Sequence, residues 1–272
     1  MTPARLCRIR SMAAVALLLS ATAGIAEIRV MVRFEHSDFL VNEDVHALVA
    51  LYNGQDVPLR ICGEKDKGCA QLTFLIEPTA NEWLKKHRKG PIIKGIDIDP
   101  GRDREMVVEL TRWYNLATEG RYMVRAVLHK DGKMITSPKT VVEIVPGIEL
   151  KKTSRSVAGY DELIRTYSLR YWKRGRLEVL FLSIDEEPTG INYGVFELGP
   201  LLRVQAPSLS VSRKGRVEIR HQRSADCFVR TKLQSGRHRV EFVDQRFELP
   251  SGEPYPNVKS RLAVPLPSLP GE

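Results

Sequence analysis

The sequence predicts an all-β protein of two domains, and three observations lead there. Apolar residues alternate with polar ones over short runs, the period of a strand half-buried in a sheet. Turn-forming pairs separate the runs, among them Asn53-Gly54, Asp131-Gly132, Gly199-Pro200, Lys214-Gly215 and Ser235-Gly236. The length, 272 residues, exceeds one ordinary domain of about 100–150 residues. A hydrophobic share of 43%, with 19 Gly and 16 Pro, excludes collagen-like, disordered and disulfide-scaffold classes.

The first 26 residues read as a signal peptide. Arg5, Arg8 and Arg10 precede the apolar run Met12-Ala-Ala-Val-Ala-Leu-Leu-Leu-Ser20, and small residues at Ala21, Ala23, Gly24 and Ala26 supply cleavage sites near Ala23 or Ala26. The uncharged stretch at residues 11–26 is shorter than the roughly 20 residues of a spanning helix, so the mature chain is not expected to be an integral membrane protein. The rival reading is an uncleaved N-terminal anchor. Removing the leader takes three of the 42 Lys and Arg and leaves all 33 Asp and Glu, so the net charge falls from +9 to +6. Export, periplasmic or secreted, places the cysteines in an oxidising compartment. Cys62 and Cys69 bracket the polar loop Gly63-Glu-Lys-Asp-Lys-Gly68 and are expected to form a disulfide, which leaves Cys227 unpaired.

The first domain is expected over residues 27–148. Its strands fall at residues 28–34, 45–52, 57–61, 72–76, 106–110, 121–129 and 140–145. A short helix should interrupt them, because Thr79 and Glu82 form a capping-box pattern, Lys85, Lys86, Arg88 and Lys89 follow, and Gly90-Pro91 stops the run. The second domain is expected over residues 149–249, after a polar, basic linker at residues 151–156. There Tyr167, Leu169 and Tyr171 alternate, and Leu177-Glu-Val-Leu-Phe-Leu-Ser-Ile184 is nearly continuous apolar, as a strand buried on both faces would be. Shorter strands follow around Val195, Leu202, Val217, Phe228 and Val240. Residues 250–272, with six prolines, read as an extended or disordered tail.

Phe39-Leu-Val-Asn-Glu-Asp-Val45 leads into a long alternating strand that ends in Tyr52-Asn53-Gly54, and Leu116-Ala-Thr-Glu-Gly-Arg-Tyr122 precedes another. On these residues the stretch at about 28–146 resembles the bacterial immunoglobulin-like β-sandwiches, including those similar to proteinase-inhibitor and macroglobulin-type modules. The resemblance implies that Leu116 to Tyr122 is a tyrosine corner, with the Tyr122 hydroxyl bonded to upstream backbone. It implies a fold and no catalytic residue.

The sequence carries little recognisable chemistry. The sequence has no His-Glu-x-x-His, no Gly-x-Ser-x-Gly, no phosphate-binding glycine loop and no paired Cys-x-x-Cys sets, so no cofactor and no metal is expected. The six histidines are scattered. Cys227 with His221 or His238 as base is the sharpest catalytic arrangement on offer, but Ala225-Asp-Cys-Phe-Val229 reads as a packed core cysteine. Asp97, Asp99, Asp103 and Glu105 around Pro100-Gly101 lack ordered calcium-loop spacing and are interrupted by Arg102 and Arg104. Asp185-Glu-Glu187 reads as a second acidic loop.

Basic runs with interleaved aromatics are the remaining candidates for binding. Trp83 with Lys85, Lys86, Arg88 and Lys89 is one, Trp172 with Arg174 and Arg176 another, and Arg213 to Arg216 with Arg220 and Arg223 a third. After export the fitting partners are an envelope protein or an anionic polysaccharide rather than nucleic acid. The expected function is therefore that of an exported, non-enzymatic binding or structural protein of the cell envelope. Its alternatives are a polysaccharide or cell-wall hydrolase using carboxylates that only the fold could assemble, and, more narrowly, a protease-inhibitor-like module.

Overall fold

The computed structural model describes residues 27–63, 68–78, 83–187, 189–256 and 261–262. None of these residues is helical, and strands dominate. The signal peptide expected at residues 1–26 lies outside them. In the first module the strands are β1 (Ile28–Phe34), β2 (Asp38–Leu40), β3 (His46–Asn53), β4 (Leu59–Ile61), β5 (Gln71–Pro78), β6 (Ile96–Ile98), β7 (Asp103–Glu109), β8 (Gly120–Lys130), β9 (Lys133–Thr136) and β10 (Thr140–Val145). One sheet runs β1-β3-β7 and the other β2-β10-β8-β5, with β9 also on β8; β4 and β6 form a small separate ribbon. Among the described residues of this module the β2–β10 pair is parallel, as is an isolated bridge between Ile61 and Ala70, and the other strand pairs are antiparallel.

The apolar alternation explains why the two main sheets face each other. Val30 and Val32 of β1, Ala47, Val49 and Leu51 of β3, Phe74 and Ile76 of β5, and Tyr122, Val124 and Ala126 of β8 share one buried core. Tyr122 is 4% exposed and its hydroxyl donates to the Thr118 carbonyl at 2.7 Å, the local bond expected of the corner. Asp131 and Gly132 both take positive φ, 49° and 74°, the tight turn that joins β8 to β9. Asn53 turns the chain by its side chain. Its amide donates to the carbonyls of Val57 and Ile98, each at 2.9 Å, and its oxygen accepts from the Gln55 N–H.

In the second module β11 (Ile148–Val157), β12 (Tyr160–Arg174), β13 (Leu177–Glu187) and β14 (Ile191–Pro200) form an antiparallel meander. β15 (Ser208–Val211), β16 (Arg216–Gln222), β17 (Phe228–Ser235), β18 (Val240–Glu248) and β19 (Arg261–Leu262) form a second one. Tyr167, Leu169, Leu180, Leu182 and Ile184 from the first sheet meet Leu209, Val217, Ile219 and Leu233 from the second. The continuous apolar run in β13 has its reason here. Leu180, Leu182 and Ile184 enter this core, while Val179 and Phe181 pack on the other side with Leu40 of the first module.

Several sequence expectations need correction. Thr79 and Glu82 lie outside the described residues, but residues 83–90 are not helical. The Leu84 N–H donates to the Ile76 carbonyl and the His87 N–H to that of Trp113, each at 2.9 Å, so the backbone bonds outward to its neighbours instead of along itself. Residues 151–156 are not a linker. They belong to β11, an edge strand held by its ladder to β12 and exposed along most of its length, which is why no apolar alternation marks it. Asp185 to Glu187 end β13 rather than form a loop. The start of the expected tail is ordered against β18, where the Tyr255 N–H donates to the Phe247 carbonyl and the Leu249 N–H to that of Glu253.

Candidate binding surfaces and the joint between modules

The first basic run lies along β5 as an extended segment. Its exposure alternates, with Trp83 half-exposed and Lys85 outward, while Leu84 packs against the core. Lys86 lies over the Trp113 ring, 5.1 Å from its centroid, and donates to the Gly90 carbonyl. Arg88 and Lys89 are exposed. Trp83, Lys85, Arg88 and Lys89 thus share one accessible stretch of the first module.

The second basic run is placed differently. Arg176 is exposed in the turn after β12, but Arg174 turns inward with a side chain only 7% exposed. Its guanidinium grips the Glu43 carboxylate at 2.5 and 2.6 Å, reaches Glu197 at 2.8 Å, and stacks 4.7 Å from the Phe181 ring centroid. Glu43 also accepts the Leu40 N–H at 2.8 Å. Leu40, Val179 and Phe181 are buried together, with Trp172 and Val195 packed against them. Trp172 and Arg174 therefore build a joint between modules rather than an accessible surface. Arg170 adds a hydrogen bond to the Pro146 carbonyl at 2.8 Å. Gly147 takes a φ of 68° there, and a β-carbon on it would meet the Leu40 side chain at 3.1 Å, so the connection has little room for any other residue.

Sequence reasoning missed the most buried charge. Arg165 has no exposed surface, and its guanidinium sits 3.3 Å from Glu186, donates to Ser235 at 2.8 Å and to the Gly236 and Arg237 carbonyls, and stacks 3.7 Å from the Tyr193 centroid. It pins the β17–β18 turn onto the opposite sheet. No local signal marks this role, because Glu186, Tyr193 and Ser235 converge on it only after folding.

Cys62 and Cys69 are joined, with Cα atoms 5.5 Å apart, and Cys227 is free and buried. His221 and Cys227 lie near one end of the β16–β17 hairpin, where burial acts on both. It lowers the His221 pKa to about 4, helped by Arg223; the Pro200 carbonyl opposes it, although no hydrogen bond to either ring nitrogen closes among the described residues. Burial raises the Cys227 thiol pKa, partly offset by Arg223. Both shifts favour the neutral forms, the opposite of the thiolate and imidazolium a cysteine nucleophile uses.

The acidic candidates are dispersed. Asp97 pairs with Arg60 at 3.6 Å and Glu105 with Arg33 at 2.5 Å, while Asp185 accepts from Asn192 and Glu187 from Thr166. Among the described residues no three His, Cys, Asp or Glu converge as a metal site would require. A shallow cavity of about 430 Å³ opens beside β11, walled by Leu150, Val204 and Pro207 with Lys151 and Arg203 at its rim. Arg203 is already held by Glu178 at 2.6 and 2.7 Å. No helix of the described residues is long and apolar enough to cross a membrane. Neither protein-family models nor curated proteins match this sequence.

Proposed function

We propose that this chain is an exported, non-enzymatic binding protein of the cell envelope, in which two β modules act as one body. The observation that carries the reading is the joint, where one terminal nitrogen of Arg174 meets both oxygens of Glu43 and the pair is largely withdrawn from water. A buried pair of this kind fixes geometry because deleting either partner leaves the other charge buried without it, at a cost of about 3–5 kcal/mol. Binding surfaces on the two modules are then held at a constant separation. The reading of export draws on the leader pattern at residues 1–26 and on the Cys62–Cys69 bridge, which suits a non-reducing compartment. An immunoglobulin-like assignment of the first module is supported by its facing β1-β3-β7 and β2-β10-β8-β5 sheets and by the Tyr122–Thr118 bond.

The test is fractionation of cells making the full chain, followed by crosslinking in the envelope. The exported form should begin after Ala23 or Ala26, carry an oxidised Cys62–Cys69 pair, and crosslink to an envelope component. Retention in the cytoplasm, or purified protein that releases fragments from cell-wall polysaccharide, would overturn the reading.

A further inference from the structure

The outer face of the second module's β15–β19 sheet carries an arrangement that register alone reveals. Arg220 on β16 stands opposite Arg230 on β17, and Arg230 stands opposite Arg246 on β18. Val217, Ile219 and Leu233 occupy the inner face of the same strands, so the three arginines point outward. Like charges placed directly opposite destabilise a sheet. Yet three lie in one row, with Ser208 of β15 at its end and Lys232 in the next row. From Ser208 to Pro256 the chain has ten Lys and Arg against six Asp and Glu.

Neighbours hold these guanidiniums in fixed positions and leave them unequally open, with the Arg220 side chain 25% exposed and donating to the Pro250 carbonyl at 3.3 Å, and that of Arg230 36% exposed. Asp244 accepts from the Nε of Arg246 at 2.5 Å, Glu248 lies within ion-pair distance of the Nε atoms of Arg230 at 2.8 Å and of Arg220 at 3.6 Å, and Glu218 accepts from a terminal nitrogen of Arg230 at 2.9 Å. Arg220 lies over the Phe228 ring at 4.0 Å and Arg223 over Phe247 at 5.1 Å. Arg246 remains 66% exposed, and both of its terminal nitrogens lack a partner among the described residues.

We propose that this row binds a linear anionic polysaccharide bearing carboxylates or sulfates, laid across the strands so that successive charges meet Arg220, Arg230 and Arg246. The proposal rests on the reading of the chain as an exported binding protein and names its partner class. Adjacent strands are about 4.8 Å apart, close to the rise of one sugar ring, so a charge on each ring finds a guanidinium on each strand. Guanidinium forks match carboxylate and sulfate oxygens in a planar, paired geometry. A membrane surface fits less well. Interfacial binding needs a set of apolar side chains beside the cations, and Val243 is the one large apolar residue exposed on β16–β18 among those described.

The experiment measures binding of the purified mature protein to polygalacturonate and to dextran sulfate, with neutral dextran and anionic phospholipid vesicles as the other arms. Binding to the two polyanions that weakens as salt is raised is the expected result, with none to neutral dextran. Arg246→Gln, at a largely exposed position, should weaken it by about tenfold or more, and Arg246→Lys by less. Lys85→Gln with Arg88→Gln, on the first module, should leave it unchanged. Equal binding by Arg246→Gln and the unchanged protein, preference for vesicles over both polyanions, or equal binding to neutral dextran would overturn the proposal. A protein that still crosslinks to an envelope component in cells after Arg246→Gln, with its polyanion binding intact, overturns this site alone; absence of export or of any envelope crosslink in the unchanged protein overturns the broader reading instead.

Discussion

The two modules solve the same problem with different interiors. Of the 14 buried polar or charged residues among those described, Asn53 and Ser137 belong to the first module and the other 12, from Arg165 to Glu248, to the second. The first module is therefore an apolar sandwich stapled by one disulfide, whose stability follows area removed from water. The second builds its core around ionic and hydrogen-bonded groups that must find one another, so its stability follows geometry and protonation. The difference teaches that two sandwiches of similar size can fail by different routes.

The sharpest way to break that contrast is at Arg165. Arg165→Ala leaves the Glu186 carboxylate buried without its partner and should cost about 3–5 kcal/mol. The double change Arg165→Met with Glu186→Leu should recover part of the loss, since it removes both charges. Chemical denaturation followed by fluorescence reports the first module through Trp83 and Trp113, and through Trp172 on β12 the second module together with the joint in which it packs. Only the Trp172 transition should move. A parallel shift in both would show that the interiors are energetically one.

Next comes pH. His221 has a folded pKa of about 4 against an ordinary 6.5, so between those values the unfolded chain takes a proton that the folded chain refuses. Stability from this residue is full above about pH 7 and declines as the pH falls toward 4, by about 3 kcal/mol in all. Denaturation midpoints of a His221→Leu variant should lack that decline, and a variant with the same acid sensitivity as the original would remove His221 from the account.

The first module should respond less steeply to pH and more to its staple. Replacing both Cys62 and Cys69 by Ala should cost about 2 kcal/mol by loosening a short loop constraint. Thermal melts under oxidising and reducing conditions check this, since reductant should mimic the variant. Smallest of all is Tyr122→Phe, which keeps the packing and leaves the Thr118 carbonyl without its bond, at about 1 kcal/mol. A Phe variant as stable as the original would deprive the corner of any role.

The same contrast governs how much could be read in the sequence. β1 has the bounds its alternation predicts, and Asp131-Gly132 makes the turn its composition predicts. Strands β2, β6 and β9 escaped because three or four residues hold too little periodicity to register. β11 escaped because main-chain bonds rather than burial hold it. In the second module, buried Arg165, His221 and Gln245 interrupt the apolar pattern, and their partners are distant in sequence. The basic runs were legible as composition and not as placement. Trp83 and Arg176 stayed outside, Trp172 and Arg174 went into the joint, and the row of Arg220, Arg230 and Arg246 depends on a strand register that no local pattern specifies.

That the modules act as one body can be tested by measuring a distance between them. Spin labels on Cys introduced at the exposed positions Lys133 and Lys214, one in each module, with buried Cys227 left untouched, would report the spread of separations by pulsed electron resonance. One narrow distribution is expected in the otherwise unchanged protein and a markedly broader one after Glu43→Ala, which removes the partner that Arg174 has in the first module and leaves it Glu197 of its own. A broad distribution before the substitution, or a narrow one that survives it, would contradict the joint and the function built on it.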